Sequence, residues 1–448
     1  MSQTIYKKVN GGKCSMSTDL AKHIESTPLI DTHEHLRFEE DWLNDGPDIL
    51  QDLFGNYVTA DLAVAGASEE DVQILLDGSN PDLGARFNRV RKAWEATQFT
   101  GYGEAVRNMM EHIYHLSELT EDSLQTAQLR LTELRKPGTR LGLLKRGANL
   151  DHVQTDNFVW KCVPDESGPD FFLYDLSWVN FCNGDIRREE LAKETGIEVH
   201  NLEDLRHAMA RIFEMYAPCA IAVKSQHAYS RTLLWQERTD AEAIGALGRI
   251  LKDPDNANEA DRLCLGDWCW ARGVEHAINY NLPFKIHTGY YAGHSRMPVD
   301  RIKGGNLCSL LNRYLDARFV LMHIAYPYSD EMVALAKHYP NVWVDLCWAW
   351  SIDPYSSCDF VRRFIHAVPS NKLFAFGGDT SWPTSSVAYA MQARKWMTRA
   401  LESEVATGDL SEHQAIELAT RLMQTNQREC FDIDGTRRAI EDASEAAS

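Results

Sequence analysis

Short apolar runs recur along the chain, each ending in polar or ionisable residues. Between them lie stretches whose apolar positions fall at helical spacing. The first run is PLIDTHEHL, residues 28–36. Pro28 ends a short helix expected over TDLAKHIEST (18–27), and Leu29 and Ile30 open a buried strand. Alternate residues of a strand share a face, so Asp31, His33 and His35 are expected on one side. Seven more runs follow: GANLDHV (147–153), DFFLYDLSW (170–178), CAIAVKS (219–225), LPFKIHTG (282–289), ARFVLMHIAYPY (317–328), NVWVDLCWAW (341–350) and KLFAFGGDTSW (372–382). The second and third are the weakest of the eight. Amphipathic segments such as LEDLRHAMARIFEMYA (202–217) intervene.

Strands alternating with helices predict a parallel sheet, and eight such units predict an α/β fold of the (β/α)8 TIM-barrel type. From about 38 to 140 the pattern is helical throughout, as in EAVRNMMEHIYHLSEL and EDSLQTAQLRLTELRK. A large helical insertion after strand one is therefore expected. The expected divisions are 1–37 (N-terminal helix and strand one, with a loose start over 1–15), 38–140 (insertion or cap), 141–400 (the rest of the barrel) and 401–448 (C-terminal helices). In the insertion, RFNRVRKAWEATQFTGYG carries Arg86, Arg89, Arg91 and Lys92. It reads first as a solvated helix face and second as a lid offering an arginine to a pocket.

In such barrels chemistry gathers at the C-terminal strand ends. There the chain has His33 and His35 (strand one), Lys224 (four), His287 (five), His323 (six), Asp345 (seven) and Asp379 (eight). One strand-end histidine is commonly a satisfied core residue, but four histidines and an aspartate at separate ends match a metal site. Imidazoles with one carboxylate suit zinc, or manganese or iron. A catalytic ion lowers the pKa of its water, and Asp379 is the candidate base, with His323 across the mouth to polarise or protonate substrate. Gly377 and Gly378 allow close backbone approach before Asp379. Lys224 has three readings: a carbamylated bridge between two ions, a binder of a substrate carboxylate, or a snorkelling barrel-end lysine. Lys285, deeper on the face of His287, is expected to pair with Asp31 or Asp345. His227, Tyr229 and Arg231 are candidate anion binders. Tyr326 and Trp382 are the expected aromatic neighbours of substrate, with Trp348 and Trp350 either lining a pocket or packing on the insertion.

These residues resemble the amidohydrolase superfamily. PLIDTHEHL resembles its strand-one HxH signature and PFKIHTG its strand-five histidine. FVLMHIAYPYSDEMVALAKHYPNVWVDLCW and FAFGGD are similar to the strand-six to strand-eight region of the amidohydrolase-related (amidohydrolase 2) branch. The resemblance covers strand one and about 219–400. It implies metal ligation by His33, His35, His287 and Asp379, with His323 near the substrate. The branch includes decarboxylases, hydratases and lactonases as well as hydrolases. The insertion after strand one also resembles that of uronate isomerases. The strand-eight loop departs from theirs: Thr380, Ser381, Trp382 and Pro383 stand where they carry arginines.

Composition narrows the partners. A net charge of −19 argues against nucleic acid and anionic membrane surfaces as partners, and no apolar run reaches the length of a membrane span. The ten cysteines form no CxxC pair, and MSQTIYKKVNGGKCSMS has no apolar signal core. The expectation is a cytoplasmic, reduced, homo-oligomeric metalloenzyme acting on a small polar or anionic molecule. Its expected activity is metal-dependent hydrolysis, with uronate-isomerase-like or decarboxylase chemistry as the alternative.

Overall fold

A computed structural model describes residues 18–254, 256–293 and 297–447. The loose start expected over 1–15 lies outside the described residues. Eight parallel strands run β1 Leu29–Glu34, β2 Leu150–Thr155, β3 Phe172–Ser177, β4 Ala220–Ser225, β5 Phe284–His287, β6 Phe319–Met322, β7 Val342–Asp345 and β8 Leu373–Phe374. They pair in sequence order. All eight predicted runs are strands, including the two weakest.

The chain beyond β8 closes the ring against β1. Thr32 N donates to Phe376 O at 3.1 Å, Asp379 N to His33 O at 2.9 Å and His35 N to Thr380 O at 2.9 Å. The architecture is a (β/α)8 barrel with helices outside. The strands are buried almost throughout, which is why they read as continuous apolar runs rather than alternating ones.

Strict alternation fails in β1, where the pairing with β2 shifts register between Asp31 and Glu34. Asp31 therefore does not join the two histidines. Its Oδ1 accepts from His33 N and Gly378 N, and its carboxyl lies against that of Glu34.

The interior contains a buried ion pair. Lys285 Nζ donates to both Asp175 oxygens at 2.8 and 2.9 Å and to Thr32 O at 2.7 Å, with both side chains fully buried. This corrects the expected pairing with Asp31 or Asp345. β3 brings Asp175 across the barrel at the depth of Lys285, whereas Asp345 is taken by Thr32 Oγ1 at 2.6 Å. Burial pushes the Asp175 carboxyl up to about 6, with Lys285 opposing the shift.

Between β1 and β2 the chain is helical, beginning with Glu39–Asn44 and ending at Gly147. This insertion docks on the long helix Pro383–Thr407 that follows β8. Gln392 bonds Gly101 O and Glu104, both at 2.9 Å, Trp396 Nε1 bonds Glu104, and Thr384 Oγ1 bonds Asp52 at 2.6 Å. At Gly101 a Cβ would collide with the Ser351 carbonyl, so only glycine permits this approach.

The insertion's basic stretch is not simply a solvated face. Arg86 is buried, pairing with Asp48 at 2.5 Å and with Leu75 O, while Arg89 pairs with Asp71 near the surface. The described cysteines are free. No helix among the described residues is long and apolar enough to cross a membrane.

Removing one member of a buried ion pair strands the other charge. Lys285→Met is expected to cost about 3–5 kcal/mol in denaturant unfolding. Adding Asp175→Leu should recover much of that loss; a double variant no more stable than Lys285→Met would contradict this account.

Candidate active site

β1 delivers His33 and His35, and the turn after β8 delivers Asp379. His33 Nε2 lies 3.5 Å, and His35 Nε2 3.3 Å, from Asp379 Oδ1. His323, at the end of β6, faces the other oxygen, with Nε2 3.8 Å from Oδ2. The opposite ring nitrogens fix two tautomers. His35 Nδ1–H donates to Asp156 O at 2.6 Å and His323 Nδ1–H to Cys347 O at 2.9 Å. Each Nε2 thus presents a lone pair toward a carboxylate. Lone pairs facing a carboxylate in a buried site call for a cation between them, and tying back the second ring nitrogen is how ligating histidines are oriented.

Burial holds the His33 imidazole well below its ordinary pKa, reinforced by Lys224 and the neighbouring His35. His287 is lowered well below its ordinary value by burial and then by His323, and burial pushes His323 down to about 4. The neutral form is the one that binds metal. These residues therefore fit a divalent ion. His323, expected to polarise or protonate substrate, has Nδ1 bonded to the Cys347 carbonyl and Nε2 facing Asp379.

His287 lines the same cavity, its ring 4.4 Å from that of His323. Its Nε2 is engaged by Tyr290 O at 3.1 Å, so it stands beside the tight cluster of His33, His35 and Asp379 rather than within it. Lys224 Nζ is 3.3 Å from His33 Nε2, at the cavity floor.

The site residues sit on strained backbone. Asp379 (φ 58°), His323 (φ 63°) and Trp348 (φ 59°) are all left-handed, a conformation held only where surroundings dictate it. For Asp379 those surroundings are visible. Glu34 Oε2 accepts from Thr380 N at 2.5 Å and Thr380 Oγ1 at 2.9 Å, Asp31 holds Gly378 N at 3.2 Å, and Tyr57 OH bonds Asp379 O at 2.5 Å. Asp31 Oδ2 and Glu34 Oε1 are buried without a donor. Burial pushes Glu34 up to about 7, and burial with the Glu34 charge pushes Asp31 well above its ordinary value.

Four expected substrate contacts lie elsewhere. His227 is buried beneath the cavity, bonded to Ser225 Oγ at 2.7 Å and edge-on to Trp270. Arg231 pairs with Asp267 at 2.5 Å and binds Cys182 O, because its loop folds back onto the helix Glu259–Asn279. Tyr326 turns into a separate groove beside Asp353 and Tyr355. Trp382 packs on Trp42 of the insertion, with the Arg37 guanidinium over its ring. Tyr229 does line the cavity, and Trp348 packs against Tyr57 and His323.

The cavity holds about 580 Å3 and includes residues that sequence reasoning missed: Tyr57 from the insertion, Phe158 stacked on His35 at 4.5 Å, Asn180, Gln226 and Arg187. None has a motif around it. Only the positions of Phe158, Asn180 and Gln226 just past strand ends offered a signal.

Fold and site together define a (β/α)8 barrel with a cluster of histidines and an aspartate beyond its strand ends. Residues 234–415 match the family model described as amidohydrolase. Protein fluG of Emericella nidulans is 28% identical over 158 residues, covering 34% of this chain and 18% of that protein. Glucuronate isomerase from Caulobacter crescentus superposes with a TM-score of 0.76 at 16% identity, over 93% of each chain. Uronate isomerase from Thermotoga maritima gives 0.75 at 14% identity, over 92% of this chain and 96% of its own. A metal-dependent hydrolase, so described, from Lactobacillus casei gives 0.61 at 14% identity, over 94% and 99%. At such identities the structural likeness establishes the fold.

If Glu34 holds the Asp379 turn, Glu34→Ala should lower metal affinity by about 10–100-fold, while Glu34→Gln, which still accepts from Thr380, loses much less. Metal retention against a competing chelator measures both; equal losses would contradict the role.

Proposed function

We propose that this chain is a metal-dependent hydrolase that uses activated water on a small polar or anionic substrate. One observation carries the reading: the imidazoles of buried His33 and His323 and half-buried His35 converge on the Asp379 carboxylate, two of them with the other ring nitrogen bonded to a carbonyl. His33, His35 and Asp379 would hold the ion, with His287 as the adjacent further ligand. Their donor set matches zinc, with manganese or iron as alternatives. Such an ion supplies an acidified water and a polarised substrate carbonyl.

The protein's own groups do the rest. Asp379 takes the proton of the attacking water and returns it to the leaving group. His323 Nε2 accepts a hydrogen bond and orients the water. Lys224 at the floor and Arg187 at the rim, with Asn180 and Gln226 between polar walls, favour a substrate carrying a carboxylate. Tyr57, Phe158 and Tyr229 supply apolar walls that limit water.

The coverage of both uronate isomerases, insertion included, favours a second reading: aldose–ketose interconversion of a sugar acid in the same site. Against it stands the strand-eight loop, where Thr380 is bound to Glu34 and Trp382 packs on Trp42, leaving no arginine facing the cavity from this segment. Assaying the metal-loaded full chain in 18O-water separates the two. Hydrolysis of a carboxylate-bearing ester, lactone or amide puts the label in product. Conversion of a hexuronate without label would replace the hydrolase reading with the isomerase one.

His33→Ala and His35→Ala should each abolish metal content and activity together. Asp379→Asn should lower kcat by about 10²–10⁴-fold. Full metal content in His35→Ala would sink the strand-one assignment. Lys224→Met and Arg187→Ala should each raise KM for an anionic substrate by roughly 10–100-fold, the worth of a charged hydrogen bond, with a smaller effect on a neutral analogue. Equal effects on both substrates would remove the anion-binding role.

A further inference from the structure

Gln226 is the first residue past β4, two positions after Lys224, and both side chains line the cavity. It is only 8% exposed, yet neither its Nε2 nor its Oε1 has a hydrogen-bond partner among the described residues. A buried amide with both ends unpaired costs stability, and a methionine of similar shape would not carry that cost. A structural role does not account for such a residue. The neighbouring strand ends repeat the pattern on the same side of the barrel: Asp156 Oδ2 after β2 and Ser177 Oγ at the end of β3 are also buried without partners.

The backbone that carries Gln226 is clamped. The turn His227–Tyr229 follows it directly. Tyr291 OH donates to Ala228 O, Ala292 N donates to Tyr229 OH at 2.9 Å, and the Tyr229 and Tyr291 rings stack at 4.8 Å. The amide is therefore free to turn about its own side-chain bonds while its anchor stays fixed.

From this placement we infer that Gln226 is a specificity-determining residue that reads a primary carboxamide on the substrate, resting on the reading above that Lys224 and Arg187 hold the substrate's carboxylate. A primary carboxamide presents N–H and C=O on one edge, so it pairs with both ends of Gln226 at once. A carboxylate or phosphate offers acceptors alone and would leave Oε1 facing lone pairs. The substrate class is then a small molecule with a carboxylate at one end and a neutral carboxamide at the other. A site of this kind discriminates chiefly against analogues that leave its polar atoms unpaired.

The test is calorimetric titration of the zinc-loaded full chain with three anions of one shape and one charge: glutaramate, 5-oxohexanoate and 5-methylhexanoate. The series removes first the donor and then the acceptor from the end opposite the carboxylate. Wild type should bind them in that order, weakening about 3–10-fold at each step. Gln226→Met should lose the order and, without ligand, melt about 1–3 °C above wild type, since the unpaired amide is gone. Equal affinities in wild type, no binding of any of the three, an order retained in Gln226→Met, or a lower melting temperature in that variant would each overturn the inference. Lys224→Met tests the underlying reading separately. It should weaken all three ligands alike, and unchanged affinities would remove the carboxylate anchor on which the inference rests.

Discussion

The site depends on how β1 and the segment after β8 are locked together. A parallel barrel closes only if its last strand reaches its first, and here β8 proper is two residues long. Closure falls to the irregular chain beyond it, through the backbone bonds of Thr32, His33 and His35 to Phe376, Asp379 and Thr380. Irregular backbone at a seam leaves donors without ladder partners, and buried donors must be satisfied. Asp31 and Glu34 satisfy them, accepting from Gly378 N and from Thr380. The same two carboxyls flank the register shift in β1 and brace the turn that carries left-handed Asp379. Barrel closure and placement of the Asp379 carboxylate are thus one structural event.

The polar interior is layered by depth. Lys285 and Asp175 neutralise each other at the base, and His33 Nδ1 sits 3.9 Å from Asp175 just above. Above these lie the imidazoles and Asp379, and then a cavity with lysine at its floor and arginine at its rim. A chain with a net charge of −19 thereby presents positive groups inside its pocket, so overall charge does not predict the charge a substrate carries.

Much of this was legible in the sequence. The eight apolar runs gave eight strands, because fully buried parallel strands are continuous and apolar, and the ligand candidates stand at or just beyond strand ends. Partners across the barrel were not legible. Lys285 was expected to reach Asp31 or Asp345, because periodicity reports a residue's face and not the register between strands far apart in sequence. Arg231, His227, Tyr326 and Trp382 were placed by nearness in sequence to a site residue. Loop conformation decides otherwise: the loop of Arg231 folds onto Asp267, and Trp382 turns outward to open the helix Pro383–Thr407. Tyr57 could not be found this way, since it reaches the cavity through the docking of a whole insertion.

That docking bears on what the insertion does. Its tightest contacts are with the helix following Asp379, and Tyr57 bonds the Asp379 carbonyl itself. The insertion is therefore fastened to the segment that carries Asp379, not draped over the mouth as a free lid. The polar anchors at Asp52, Glu104 and Gln392 are buried, so separating the two bodies would expose unpaired charge and amide groups at considerable cost. On the β3 and β4 side of the barrel the cavity rim is formed by Arg187, Asn180 and Tyr229, from short helical turns and loop that follow those strands rather than from the insertion. A rim of that kind can vary its contacts without disturbing the cluster of His33, His35 and Asp379. This is the physical reason one barrel can serve different chemistries, according to what its loops hold in place.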